Sequence, residues 1–267
     1  MRSAERRSTM TDQSQHAPTQ HGLAQSQFGE MSAAYVESTV HAAGADLQTI
    51  AARALVAAPR HALDLGAGGG HVGYAMAPHA AQVMACDVSP EMLEAVAAEA
   101  ARRGLANIAV QAAPAEALPF AEGAFDFLAC RFTTHHWRDA EAGLREARRV
   151  LKAGSPAIFV DVVAPADAAA DTHLQAVELL RDVSHVRDYT AAQWTAMLGR
   201  AGFTVREVRT ARLRMDFATW TARMRTPPER VAAIRALQAV APAEVAAWFG
   251  IEADGSFTID TVLIEAV

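Results

Sequence analysis

Lysine is nearly missing from this sequence: Lys152 is the only one in 267 residues, and arginine carries the positive charge. The net charge is -6 and no dense basic run occurs, so the phosphate-neutralising surface that dominates nucleic-acid affinity has no source. Nucleic acid is not expected as a partner. Cysteine is equally scarce. Cys86 and Cys130 each end an apolar run, with no second thiol and no cysteine–histidine set at ligand spacing nearby. A disulfide framework and a structural zinc site are thereby excluded, no metal is expected, and the thiols read as buried and reduced in a cytoplasmic protein. Also lacking is any apolar stretch of about 18 residues, and the first twenty-odd residues are polar without the apolar core of a signal peptide. Residues 1–22 are expected to form a disordered tail, with Met10 a second candidate start, and 23–267 a single soluble domain without membrane insertion.

What is present is apolar residue in alternating blocks, 51% of the chain, enough to fill a sizeable core. Short runs that read as strands fall at 61–65, 81–87, 107–111, 124–130 and 156–163, separated by amphipathic segments. The clearest boundary is "SPEMLEAVAAEAARRG", with Ser89 as N-cap, Pro90 at the first helical position, Glu91 in the first turn and Gly104 as the stop. Strands alternating with helices predict an α/β fold with a doubly wound, mostly parallel sheet. After residue 165 the rhythm changes. Helices are expected at about 167–183 and 191–201, a strand at 203–214, two or three helices between 216 and 249, and a final strand in "SFTIDTVLIEAV", making seven strands. The extra helices, 166–190 and 215–250, are expected to cap the sheet.

The stretch "HALDLGAGGGHVGYAM", His61–Met76, joins the first strand to a helix through clustered glycines. It fits two registers. From Gly68 it is Gly-x-Gly-x-x-Gly, the dinucleotide pattern, and from Asp64 it is acid-x-Gly-x-Gly-x-Gly; either alone is a weak signal. The dinucleotide register places Asp64 and Gly66 inside the strand, where both are poorly tolerated. The other register ends the strand at Leu65 and sets a carboxylate at the mouth of the loop, suiting a cationic ligand better than a pyrophosphate. Asp87 ends the second strand 21 residues after Gly66, the spacing of a carboxylate that accepts ribose hydroxyls.

Together, "LDLGAGGGHVG", "ACDVSPEMLEAV", "AEALPFAEGAFDFLACRFTTHHWRD" and "LREARRVLKAG" resemble, in order and spacing, the class I methyltransferases of the type 11 group, which includes ubiquinone/menaquinone C-methyltransferases. The flanks "QFGEMSAAYVESTVHAAGADL" and "RDVSHVRDYTAAQW" resemble one uncharacterised bacterial branch of it. The resemblance implies a Rossmann-like fold with lid helices over 23–58 and a core over 60–165. It implies methyl transfer from S-adenosylmethionine (SAM), with S-adenosylhomocysteine (SAH) as product, to a small molecule it does not name. Carried over, Asp64, Gly66, Ala67 and Gly68 would hold the methionine and ribose part, Asp87 the ribose, and Val88 and Met92 the adenine face. Arg131 would use its backbone near the ammonium, and Phe28 and Tyr35 would belong to a segment folding over the cofactor. Where the family often has an adenine-contacting Asp, this chain has Pro114, leaving that contact to Ala115 and Glu116.

On the acceptor side, His135 and His136 of "TTHHW" are candidate bases, Trp137 follows them, and His185, Arg187 and Tyr189 of "SHVRDY" are candidate acceptor contacts in the cap. Equally, the histidines could cap or pack the next helix, and "SHVRDY" could be a solvated turn. Two other readings stay open: an NAD-dependent oxidoreductase, which the missing Tyr-x-x-x-Lys pair disfavours, and a SAM-binding protein without turnover.

Overall fold

The computed structural model describes residues 17–29 and 44–267. Strands β1 (His61–Leu65), β2 (Gln82–Asp87), β3 (Ile108–Ala112), β4 (Phe127–Arg131), β5 (Ala157–Val163), β6 (Val205–Met215) and β7 (Phe257–Ala266) form one sheet in the order β3-β2-β1-β4-β5-β7-β6. All neighbouring pairs from β3 to β5 are parallel, and β7 runs antiparallel to both β5 and β6. The seven strands lie where the apolar runs predict them, within three residues at each end. β4 starts late, at Phe127, because Phe125 is spent on an isolated bridge to Leu151.

Helices α1 (Gln20–Gly29), α2 (Ala45–Ala57), α3 (His71–Met76), α4 (Pro90–Arg102), α5 (Ala140–Val150), α6 (Ala168–Arg181), α7 (Ala191–Ala201), α8 (Phe217–Arg223), α9 (Pro228–Ala239) and α10 (Ala243–Phe249) complete the described residues. α4 begins as expected: Ser89 Oγ accepts from the Met92 N–H at 3.2 Å, satisfying a donor the helix itself leaves open. Gln20–Gly22 belong to α1, so the expected tail is too long by these residues; Gln20 is held by hydrogen bonds across the molecule.

Period-two alternation divides the core. Leu63, Leu65, Leu128 and Phe159 pack with Leu144, Trp194 and Leu198 on the α5/α7 side, whereas Ala62, Phe127, Ala129 and Ile158 pack with Ile50, Val72 and Met76 on the α2/α3 side. A third cluster joins Leu174 and Val177 of α6 to Trp220, Ile234, Val245 and Phe249, so α6 and α8–α10 form one helical layer with its own apolar centre beside the sheet. Consecutive parallel strands reverse direction of travel between β1 and β4, the position where open α/β sheets leave a crevice for ligands.

Candidate active site

That crevice is a continuous cavity of about 530 Å³, of the size that holds small molecules. At one end lies the turn after β1. Gly66 (φ 71°) and Gly68 (φ 48°) adopt left-handed conformations that a side chain disfavours. A Cβ on Gly66 would fall 2.3 Å from Thr133 Oγ1, while one on Gly68 would meet nothing within 4 Å, because that residue opens on the cavity. The Gly68 N–H donates to Asp87 Oδ2 at 2.8 Å and the Ser89 N–H to Asp87 Oδ1 at 3.0 Å, locking the β1 and β2 ends together. Burial pushes Asp87 above the usual carboxylate range while the N–H groups of Gly68, Ser89 and Val88 pull it down. Ala67, Val88, Met92, Pro114, Ala115, Glu116 and Arg131 line the same end.

Asp64 corrects the sequence reading. It lies within β1 on the Ala62 face, is 1% exposed, and does not line the cavity. Its Oδ2 accepts the Gly73 N–H at 2.8 Å, fixing the first turn of α3, and its Oδ1 has no partner among the described residues. Burial pushes its pKa up to about 7. The dinucleotide register fails at the same place. Gly70 is small because a Cβ would fall 2.8 Å from the Tyr74 ring and 2.9 Å from Val96, and Gly73 because one would approach Asp64 to 3.2 Å; neither lines the cavity.

α1 spans both ends. Gln25 Nε2 donates to the Val88 carbonyl at 2.8 Å, and Gln20 Nε2 to the Ser184 carbonyl at 2.6 Å. His21 Nε2 lies 3.3 Å from Glu116 Oε2. Phe28 falls in α1, but its side chain, like all of Tyr35, lies outside the described residues. The Arg131 side chain pairs with Asp46, Nε lying 2.5 Å from Oδ2, so that β4 holds the start of α2.

At the other end β4 passes through Phe132, itself left-handed (φ 51°), into a 3₁₀ turn, Thr134–His136. His135, His136 and Trp137 all line the cavity. His135 Nδ1 is 2.5 Å from Asp161 Oδ1 on β5. Burial alone would lower that imidazole, but the Asp161 charge and hydrogen bond, with Asp188 and Glu178 beyond, outweigh it and hold the pKa at about 9. His136, with its ring centroid 4.1 Å away, is pushed down to about 4 by burial and by the His135 charge, against the pull of Asp182. Neither titrates near the ordinary histidine value. Asp161 went unremarked in the sequence, although a carboxylate inside the otherwise apolar "AIFVDVV" is the signal that could have found it.

The "SHVRDY" segment is in the right place but works by other atoms than expected. Val186 and Arg187 N–H groups donate to the His135 carbonyl at 2.8 and 3.2 Å, bracing the histidine turn. His185 is buried behind it against Gln175 Oε1 at 3.0 Å, Arg187 pairs outward with Asp171 at 2.7 Å, and Tyr189 packs on Trp194; none lines the cavity. Asp188, between them, does, as do Glu178, Arg181 and Asp182. Acid side chains flanked by bulkier residues gave no periodic signal to separate Asp188 from its neighbours. Among the described residues no cluster of histidine, cysteine and carboxylates could hold a metal ion, and no helix is long and apolar enough to cross a membrane.

A family model for a methyltransferase domain matches residues 63–159, the span from β1 to β5. The chain is 42% identical over 193 residues to the uncharacterised protein YafE of Escherichia coli K12, covering 72% of this chain and 93% of that one. It is 32% identical over 203 residues to YcgJ of Bacillus subtilis, named an uncharacterised methyltransferase, covering 76% and 80%. The solved YcgJ structure superposes with a TM-score of 0.79 over 83% of this chain and 97% of that one, at 30% identity. A Bacillus halodurans C-125 protein gives 0.80 over 84% and 98%, also at 30%. On these similarities the chain belongs to the methyltransferase-domain family and is a SAM-dependent methyltransferase.

Proposed function

We propose that this methyltransferase acts on a small-molecule acceptor bound between the histidine turn and the helical layer, with SAM at the glycine turn. The observation that carries the reading is the single cavity with two chemically different ends: backbone and one carboxylate at Gly66–Gly68 and Asp87, ionisable side chains at His135 and Asp188. The residues present fit the cofactor. Gly68 leaves open space where a side chain would intrude, and Asp87 stands at the β2 end to accept a ribose diol. Val88, Met92, Ala115 and Glu116 would enclose the adenine, and the Arg131 backbone would lie near the amino-acid portion. SAM supplies an electrophilic methyl group. The protein's share is alignment and exclusion of water, which α1 serves by bonding to Val88 on one side and Ser184 on the other.

Calorimetry with SAM, SAH and NAD, followed by turnover of pooled metabolites, tests this. Micromolar binding of SAM and SAH with none of NAD, together with SAM-dependent consumption of a metabolite, is the expected result. Binding without consumption under any condition would leave a non-catalytic SAM-binding protein as the better reading.

A further inference from the structure

His135 presents an unusual arrangement at the acceptor end. Its Nδ1 is committed to Asp161, whose Oδ1 also accepts the Val162 N–H at 2.9 Å and whose Oδ2 has no partner. Its Nε2 hydrogen-bonds to no described residue, yet is not among the sealed, unpartnered atoms, so on this cavity-lining side chain it opens to the cavity. Glu178 holds Arg181 at 3.1 Å, and Asp182 Oδ1 accepts the Ser184 hydroxyl and N–H at 2.6 and 2.8 Å. Asp188 is 1% exposed, and its unpartnered Oδ2 is sealed from the cavity. The polar atom that opens toward an acceptor is thus Nε2 of His135, a donor while Asp161 holds the ring protonated. Trp220, Val162 and Ile259 line the same end and give it an apolar wall.

We propose that the acceptor is an acid on oxygen, a phenol or an enolisable carbonyl compound, bound as its oxyanion to Nε2 of His135. This rests on the methyltransferase reading above. The imidazolium repels the charged form of an amine. In a water-poor pocket an imidazolium–oxyanion hydrogen bond is far stronger than in water. The acceptor's proton leaves to solvent on binding, so His135 keeps its own. The oxyanion, or the carbon conjugated with it, then forms the new bond to the methyl carbon, the sulfur–methyl electron pair stays on sulfur, and the negative and sulfonium charges cancel. His135 is on this account an electrostatic catalytic residue and not a base, and Asp161 is its positioning residue.

The test uses 4-nitrophenol, whose phenolate absorbs in the visible, titrated against the full chain without cofactor, alongside SAH calorimetry. The wild type should bind it as phenolate and lower its apparent pKa by about one unit, a roughly tenfold greater ionised fraction at a given pH. Asp161→Asn and His135→Gln should each abolish that shift while SAH affinity stays within about twofold. A bound probe that ionises as it does in water, no binding at millimolar probe, or binding of benzylamine in its place would overturn the proposal. If SAH fails to bind the wild type, the methyltransferase reading itself falls; if SAH binds normally and the probe does not ionise, only the acceptor class does.

Discussion

The two ends of the cavity are built in different ways. The cofactor end is made from residues close in sequence and from main-chain groups: Gly66–Gly68 turn against Asp87, and each glycine answers a backbone requirement. The acceptor end is made from side chains far apart in the chain, with His135 on the turn after β4, Asp161 on β5, Glu178 on α6 and Asp188 beyond it. The first end tolerates little, since a backbone conformation is either available or not. The second is a balance of buried charges, in which one imidazole is held protonated and its neighbour neutral.

The sharpest break in this contrast should come at the acceptor end. Asp161→Asn removes the charge that sustains the His135 imidazolium, and transfer to the true acceptor should fall by about 10²-fold or more while SAH binding persists. The wild-type rate should hold at neutral pH and decline as pH rises through about 9, where His135 loses its proton. The groups facing that ring are Asp161, Asp188, Glu178, Asp182, His136 and His185, with Arg181 and Arg223 also lining the cavity. In Asp161→Asn the alkaline limb should move to lower pH, which steady-state profiles on both proteins check; identical profiles would remove His135 from the chemistry.

At the cofactor end Asp87→Ala should weaken SAH binding by roughly 1.5–3 kcal/mol, the scale of charge-assisted hydrogen bonds lost from a pocket. It also releases the Gly68 N–H, so the loss should be partly one of loop order. Unchanged affinity in a folded variant would contradict the role given to Asp87.

Beneath that end, Asp64 should cost stability. Its folded pKa of about 7 lies above the ordinary aspartate value, so the stability it permits is fully present only below about pH 4 and falls as pH rises through 7. Asp64→Asn, which cannot ionise, should gain about 2 kcal/mol relative to wild type between pH 5 and pH 8. Denaturant melts at the two values check this, and an equal difference at both would mean the carboxyl titrates normally.

The smallest effect belongs to Arg187→Ala. Its guanidinium pairs with Asp171 at a half-exposed position outside the cavity, and only its main chain supports His135, so SAH binding and turnover should stay within about twofold of wild type. A hundredfold loss would return this side chain to the acceptor site.

Which parts of this were legible in the sequence follows from the range of the forces involved. The strands, the Ser89 cap, the glycine turn and Asp87 were readable because apolar periodicity, capping and left-handed backbone are local, each written within a few neighbouring residues. The sequence marked "TTHHW" and "SHVRDY" as neighbours of the acceptor end for the same reason, one closing a strand and the other following a helix. Tertiary structure decided the rest. Strand alternation turned Asp64 under the loop instead of into it, the pairing of β4 beside β5 set Asp161 against His135, and the fold of the segment after α6 pointed Asp188 inward while sending Arg187 out. Burial and charge partners assigned the protons, and these depend on distances between groups that the chain order does not encode.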